Sequence, residues 1–364
     1  MQGTDYKRLV IKIGSNVLAG PDGLPDRGRM EHLVAEIAQL KKEGRDVVVV
    51  SSGAVASGRA LVKVPERVDE VAARQLLASV GQVELIRRYA DLFREQGLIC
   101  SQVLVTKEDF RDKAHYRNML NCLDILLREQ IIPVVNENDV ISVSELMFTD
   151  NDELAGLIAS MIVADALVIL TNVDGLYTGD PKDPASVLIQ EVPPTQADLS
   201  GYISTQKSNF GRGGMLTKSH MARKTARLGI TVHVANGKKE DILAGVLNGR
   251  VPHTCFLPLK RPSGQKRWIA HADLSVKGRV QVNEGARAAL LGNKASSLLP
   301  VGIVKITGDF NRHDVVQIVD AGDRLIGLGM ARYNSETARG LIGKHNEPPL
   351  VHYDYLYIQE GTKG

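Results

Sequence analysis

The sequence has few cysteines, no long apolar run and no strong excess of either charge. Cys100, Cys122 and Cys255 lie far apart in the chain, so no disulfide framework or metal-ligand spacing is present, and we expect a reducing, cytoplasmic environment. No apolar run reaches the roughly 20 residues needed to cross a bilayer. The formal net charge of +3 is too small to indicate nucleic acid or a membrane as a partner. Composition therefore indicates an ordinary globular protein of one or two domains.

The first two thirds of the chain repeat a strand, a polar loop and a helix. Continuous apolar runs, such as residues 46–50 and 166–171, suit parallel strands that are covered on both faces. The pattern predicts an α/β fold, a three-layer sandwich around a mainly parallel sheet, over residues 1–257. Residues 258–275 are basic, contain proline and glycine, and read as a linker. Residues 276–364 have short, glycine-punctuated segments that predict a small, mainly β domain.

Small and polar residues follow predicted strands or precede predicted helices at Gly14, Ser52, Asn138, Asn151 and Thr171. Because the carboxyl ends of parallel strands meet at one edge of a sheet, we expect these loops to gather there and bind a ligand. The loops at Ser52, Asn138 and Asn151 also have simpler interpretations, as a tight turn, an Asx turn and a helix cap, respectively.

Two lysines stand out by their surroundings. Lys12 lies inside an apolar strand, where its ammonium group costs free energy unless it reaches a partner. It either snorkels out of an edge strand or points at phosphate from the strand's end. Lys218 follows a glycine-rich segment, 211–214, and precedes good helix formers. Such a loop presents backbone N–H groups and a helix dipole to phosphates, although a mobile surface loop is the alternative.

Several short fragments together carry a family resemblance. In chain order they are residues 10–15, 51–54, 135–139, 150–152, 175–178 and 213–218. In order and spacing they resemble the amino-acid kinase family, and within it the bacterial enzymes that phosphorylate L-glutamate. Residues 267–269 and 296–303 resemble the C-terminal PUA domain of those enzymes. Aspartokinase, carbamate kinase, uridylate kinase and acetylglutamate kinase share the first domain but lack the second.

The resemblance implies a reaction. ATP would phosphorylate the side-chain carboxylate of L-glutamate to L-glutamyl 5-phosphate, the first step of proline biosynthesis, with Mg²⁺, feedback inhibition by proline and a homo-oligomeric state (dimer or tetramer). A family member that acts on another acidic substrate is one alternative. An RNA-binding PUA protein is another, but residues from 276 onward hold 11 Lys/Arg against 9 Asp/Glu, a weak basic footprint for a nucleic-acid binder.

The resemblance also implies site residues. The acceptor is already an anion, so catalysis needs positive charge rather than a base. Lys12 and Lys218 would contact the transferred phosphoryl group, and Asp150 would hold both ammonium groups in place. The glutamate-binding residues would be Ser52, Gly53, Asp139 and Asn151. The ATP-binding residues would be Lys12, Gly14, Thr171, Asn172, Arg212, Gly213, Gly214, Met215, Leu216, Thr217 and Lys218. Asn172 and Arg212 depart from the family pattern, which has Asp and Thr there.

Overall fold

The structure is a computed structural model that describes residues 6–20, 24–142, 148, 150–194, 215–259, 276–292 and 296–358. The chain divides into two compact units, one formed by residues 1–109 and 113–261 and the other by residues 110–112 and 262–364. Most of the predicted linker, residues 260–275, lies outside the described residues. The predicted domain bounds therefore stay a prediction.

The first unit is built on an eight-stranded sheet. Its strands are β1 (Arg8–Ile13), β2 (Asp46–Ser51), β3 (Cys100–Val105), β4 (Ile132–Glu137), β5 (Ala166–Thr171), β8 (Glu191–Val192), β9 (Thr231–Asn236) and β10 (Thr254–Phe256), and β6 (Leu176–Tyr177) pairs with β7 (Leu188–Ile189) outside it. The strand order is β3-β4-β2-β1-β5-β9-β10-β8. Each neighbouring pair is parallel except β9 and β10. The predicted mainly parallel sheet is confirmed.

Helices connect these strands. In chain order they are α1 (Ser15–Leu18), α2 (Arg27–Lys42), α3 (Ala54–Arg59), α4 (Glu70–Glu95), α5 (Lys107–Arg111), α6 (Lys113–Arg128), α7 (Asn151–Met161), α8 (Met215–Arg227) and α9 (Ile242–Leu247). The apolar stripe of α2, which includes Leu33 and Ile37, packs in the same buried cluster as Ile11 and Ile13 of β1. Burial of such side chains stabilises the unit by roughly 1.5–3 kcal/mol each.

Strand β1 lies at the centre of the sheet, between β2 and β5. Lys12 is in register with Val50 of β2 and Ile169 of β5, and only 4% of it is exposed. The reading of Lys12 as a lysine that snorkels out of an edge strand is therefore wrong. Because side chains alternate along a strand, Lys12 points away from the face that carries Ile11 and Ile13.

Helix α4 runs unbroken through Gly81. A Cβ atom at Gly81 would lie 1.8 Å from the carbonyl oxygen of Ala54 and 2.3 Å from the backbone nitrogen of Gly58. The glycine thus serves the close approach of α3 and α4 rather than a kink. This contact holds α3 directly behind the loop that ends β2.

The second unit is built on a five-stranded sheet, which confirms the prediction of a mainly β fold for this part of the chain. Its strands are β11 (Gly278–Val282), β12 (Ile303–Thr307), β13 (Val315–Val319), β14 (Leu325–Met330) and β15 (Leu356–Ile358) in the order β12-β11-β13-β14-β15, and its helices are Glu284–Leu291 and Ser335–Leu341. Strand β15 takes up only the last part of residues 351–358. Val351 forms an isolated bridge to Leu298, and a 3-10 turn at Tyr353–Tyr355 precedes β15.

No helix among the residues described for either unit is long and apolar enough to cross a membrane.

Candidate active site

The strand ends of the first unit meet at one edge of the sheet. The backbone N–H of Ser52 donates to Ile13 at 3.1 Å, and that of Gly14 donates to Leu170 at 3.3 Å. The side chain of Asn151, the first residue of α7, donates to the Ser52 hydroxyl at 2.9 Å. The predicted gathering of the strand-end loops is confirmed.

A buried carboxylate joins the two predicted lysines. Asp152 Oδ1 lies 2.7 Å from Lys12 Nζ, and Asp152 Oδ2 lies 2.5 Å from Lys218 Nζ. The side chain of Asp152 is fully buried, and those of Lys12 and Lys218 are 5% and 15% exposed. Helices α7 and α8 pack together, which brings Lys218, in the first turn of α8, to the end of β1. A Cβ atom at Gly14 would lie 3.5 Å from Lys12 Nζ, so the glycine leaves the ammonium group approachable.

Burial and the charges of their neighbours shift the pKa values of Lys12, Asp152 and Lys218. Burial raises the pKa of Asp152, but the charges of Lys12 and Lys218 outweigh it and hold the pKa well below the usual range. Burial lowers the pKa of Lys12, against the attraction of Asp152. For Lys218 burial also acts to lower the pKa, but Asp152 and then Asp150 outweigh it and raise the pKa. The site therefore presents ammonium charge around one ionised carboxylate.

Asp150 has a different position from the one predicted. Its Oδ1 accepts hydrogen bonds from the backbone N–H groups of Asp152 at 3.0 Å and Glu153 at 3.1 Å, so it is the N-cap of α7. Its Oδ2 is buried, and no group among the described residues forms a hydrogen bond with it. Burial, and then the charge of Asp152, raise the pKa of Asp150 to about 6. The prediction that Asp150 holds both ammonium groups is wrong, because Asp152 makes both ion pairs.

An amide network connects Ser52 and Asn151, two of the predicted glutamate-binding residues. Asn151 Nδ2 lies within hydrogen-bond distance of Ser51 O, Ser52 Oγ and Asn136 Oδ1, at 3.1, 2.9 and 3.0 Å. Asn136 in turn donates to Gln82 Oε1 of α4 at 2.9 Å.

Gly53 follows this network. It has φ of +115°, a conformation that a side chain would strain. This glycine lets the chain turn from β2 into α3 while its backbone stays open to a ligand.

Asp139 is paired with a residue that the sequence analysis missed. Arg74 of α4 donates to Asp139 Oδ1 through Nε at 3.0 Å and through Nη2 at 2.5 Å. The neighbouring Gln75 donates to the carbonyl oxygen of Val140 at 2.6 Å. Arg74 carries no local sequence signal, because nothing distinguishes it from the other arginines of this long helix. The beginning of α4 thus holds the loop after β4 in place.

The predicted nucleotide-binding residues are only partly described. The Thr171 hydroxyl, at the end of β5, donates to Asn172 Oδ1 at 3.3 Å. Met215, Leu216 and Thr217 form the first turn of α8 with Lys218. Arg212, Gly213 and Gly214 lie outside the described residues.

A carboxylate that was not predicted lies beside Asn172. Asp174 accepts from Asn236 at 3.1 Å and pairs with Lys239 at 2.8 Å. These three residues connect the loop after β5 to the segment after β9, at the same edge of the sheet.

Metal binding by protein groups alone finds no support in the described part of the chain. No three His, Cys, Asp or Glu side chains there lie close enough together to hold a metal ion. The buried Oδ2 of Asp150, which has no partner in the described part of the chain, suits an ion that takes a single protein carboxylate and otherwise binds phosphate and water. Mg²⁺ usually prefers such a set of ligands.

Comparison with known proteins defines the class. Residues 7–236 match the amino acid kinase family, and residues 278–348 match the PUA domain. The chain belongs to the amino acid kinase family. A protein of Bacteroides thetaiotaomicron named "Glutamate 5-kinase" is 51% identical over 98% of this chain and 99% of its own. Another of that name, from Chlorobaculum tepidum, is 46% identical over 97% of this chain and 98% of its own.

A solved structure shows the same fold. "Carbamate kinase from Giardia lamblia bound to AMP-PNP" superimposes with a TM-score of 0.51 at 18% identity, and covers 70% of this chain and 99% of that chain. At this identity the likeness concerns the fold alone.

Proposed function

We propose that the protein transfers the γ-phosphoryl group of ATP to the side-chain carboxylate of L-glutamate, forming L-glutamyl 5-phosphate, the first step of proline biosynthesis. Nearly full-length similarity to proteins named glutamate 5-kinase supports this substrate. The observation that carries the chemistry is the pair of buried ammonium groups on Asp152, at the carboxyl end of the central strand.

The reaction brings one anion to another. The acceptor carboxylate needs no general base, so the barrier comes mainly from repulsion between the carboxylate and the triphosphate. Lys12 and Lys218 would contact the transferred phosphoryl group and offset this repulsion. Asp152 fixes both ammonium groups before the substrates arrive, so little reorganisation is needed during the reaction.

The substrate would bind beside these lysines. Asp139 would take the ammonium group of glutamate, and Ser52, Asn151 and the backbone of Gly53 would contact its other polar groups. These residues lie on the loops after β2 and β4 and at the start of α7, which meet at the same edge of the sheet.

ATP would bind across the ends of β1 and β5 and the start of α8. The residues proposed for it are Gly14, Thr171, Asn172, Arg212, Gly213, Gly214, Met215, Leu216 and Thr217, together with the two lysines. The first turn of α8 would offer backbone N–H groups to phosphate. Mg²⁺ would neutralise phosphate charge, and Asp150 would hold it through Oδ2, which no described residue engages.

Hydroxylamine trapping of the acyl phosphate tests the function. The wild-type protein should form hydroxamate from L-glutamate and ATP, and not from aspartate or acetylglutamate. Lys12→Ala and Lys218→Ala should each lower kcat by about 100-fold or more, as loss of a preorganised charge does, with little change in KM for glutamate. Lys41→Ala is a matched control, since Lys41 is also a buried lysine. It pairs with Asp46 at the beginning of β2, at the opposite end of the strand from the site. Intact turnover in either catalytic variant would contradict the mechanism.

Regulation, assembly and location are part of the same proposal. Proline would inhibit the enzyme as a feedback inhibitor, and the protein would act as a cytoplasmic homo-oligomer. Inhibition by millimolar proline in the hydroxamate assay and sedimentation of the purified protein test the first two points.

A further inference from the structure

Arg74 stands next to the proposed glutamate site without a role in the mechanism above. Its guanidinium group makes both of its hydrogen bonds to a single oxygen, Asp139 Oδ1. Its Nη2 also lies 3.9 Å from Glu137 Oε2. The side chain of Asp139 is 10% exposed and that of Arg74 is 29% exposed, so the pair is partly withdrawn from water and open on one side.

The pair leaves one group of each partner available. Among the described residues, no side chain or backbone group hydrogen-bonds to Asp139 Oδ2 or to Arg74 Nη1. Within the described part of the chain, one carboxylate oxygen and one guanidinium nitrogen of this ion pair therefore have no partner. Arg74 can keep its contact with Oδ1 while Oδ2 accepts a hydrogen bond from another cation.

An α-amino acid carries charges that match this arrangement. Its ammonium and carboxylate groups are bonded to the same carbon, so an ammonium group on Asp139 brings the α-carboxylate close to Asp139 and Glu137. The α-carboxylate and these side-chain carboxylates would repel each other strongly where water is partly excluded. A cation beside them removes the repulsion, and Arg74 is the cation that is paired with Asp139.

We propose that Arg74 binds the α-carboxylate of the substrate while it holds Asp139 for the substrate ammonium group. Arg74 is then a specificity residue, which selects an unblocked α-amino acid with a free α-carboxylate. The inference rests on the proposed function, because it concerns the orientation of glutamate in that site. A guanidinium suits the role better than an ammonium group, since its fixed fork can serve two carboxylates at once.

The test compares two substrates in matched variants. L-Glutamate and its α-amide both carry the reacting side-chain carboxylate and the ammonium group, but the amide lacks the α-carboxylate charge. The values of kcat/KM for both are measured by hydroxamate formation in the wild type, Arg74→Gln and Arg74→Lys. Arg88→Gln is the control, because Arg88 lies on the same helix and pairs with Glu84.

The proposal predicts a change in preference. Arg74→Gln should lower kcat/KM for L-glutamate by roughly 10- to 100-fold, the range of a hydrogen bond between charged groups, and should reduce the preference for glutamate over its amide at least tenfold. The preference of Arg74→Lys for glutamate over its amide should lie between that of the wild type and that of Arg74→Gln. Arg88→Gln should have the same preference as the wild type. The KM for ATP should not change.

Other outcomes would overturn the proposal. If Arg74 only supports Asp139, both substrates will lose the same factor and the preference will stay constant. An unchanged kcat/KM for glutamate would also refute it. If Arg74→Gln fails to fold, as thermal melting would reveal, the preference ratio of Arg74→Lys decides. A wild type that does not phosphorylate glutamate at all would instead overturn the proposed function, and with it this inference.

Discussion

Replacement of Asp152 by Asn is the sharpest test of the site, since it removes a charge and almost no volume. The carboxylate is fully buried and lies 2.7 Å from Lys12 Nζ and 2.5 Å from Lys218 Nζ. Asn cannot be an anion, so both ammonium groups would lose their counter-ion without gaining water. Asp150→Asn is the matched comparison, because the same change is made two residues away.

The magnitudes follow from the burial of the pair. Loss of one partner from a buried ion pair costs about 3–5 kcal/mol of stability. Because two cations pair with Asp152, we expect the loss of stability in Asp152→Asn to lie at the upper end of that range. Loss of preorganised charge should lower kcat by about 10²–10³-fold. The pKa of Asp152 in the fold is below its unfolded value, so this stabilisation is fully present above the unfolded pKa and is lost as pH falls through the folded pKa. At neutral pH the whole effect should therefore be measurable.

Asp150→Asn should behave differently. Its cap uses only Oδ1, and Asn caps helices about as well as Asp. We expect a stability change below about 1 kcal/mol and, at saturating Mg²⁺, a smaller loss of kcat than in Asp152→Asn.

Urea unfolding followed by circular dichroism gives the two stabilities, and steady-state hydroxamate formation gives the two kcat values. The assignment of Asp152 is refuted if Asp150→Asn is the more damaging change in both measurements.

Three further changes test other parts of the first unit. Burial and then the neighbouring charge of His253 lower the pKa of His233 to about 3; the resulting stability is present above the unfolded pKa and is lost as pH falls toward 3. Urea unfolding at pH 7 and pH 4.5 should therefore show a loss of about 2–3 kcal/mol that shrinks in His233→Gln. Gly81→Ala should lower unfolding stability by about 3 kcal/mol, since its Cβ would lie 1.8 Å from a backbone oxygen of α3. Asp139→Ala should raise KM for glutamate far more than it lowers kcat, and an unchanged KM would remove Asp139 from the substrate site.

The sequence could predict the sheet and the edge where the site lies, because both follow from local patterns. Apolar runs that end in small or polar residues mark strand ends wherever they occur, and the loops at Gly14, Ser52 and Asn151 indeed meet. The depth of Lys12 could not be predicted in this way. Whether β1 is an edge or a central strand depends on its pairing with β2 and β5. Strand β5 lies about 150 residues further along the chain, so local patterns do not reveal this pairing.

The error at Asp150 had a local signal that could have prevented it. An Asp that precedes a helix uses its side chain to accept from the backbone N–H groups of the first turn. Asp150 is the natural N-cap of α7, so its carboxylate was already engaged, and Asp152 was the acid free to reach the lysines. Arg74 had no such signal, because its contact with Asp139 spans 65 residues and depends on how α4 lies against the loop after β4.

The start of α7 explains why glutamate binding and phosphoryl transfer are coupled. Successive residues of a helix point about 100° apart, so three neighbours can serve three directions. Asp150 caps the helix, Asn151 reaches the loop after β2, and Asp152 reaches both lysines. Residues 154–161 of the same helix are buried throughout, so the helix cannot shift without disturbing the core. The substrate loop and the ammonium pair are therefore fixed to one rigid element, and a change that displaces α7 should damage glutamate binding and phosphoryl transfer together.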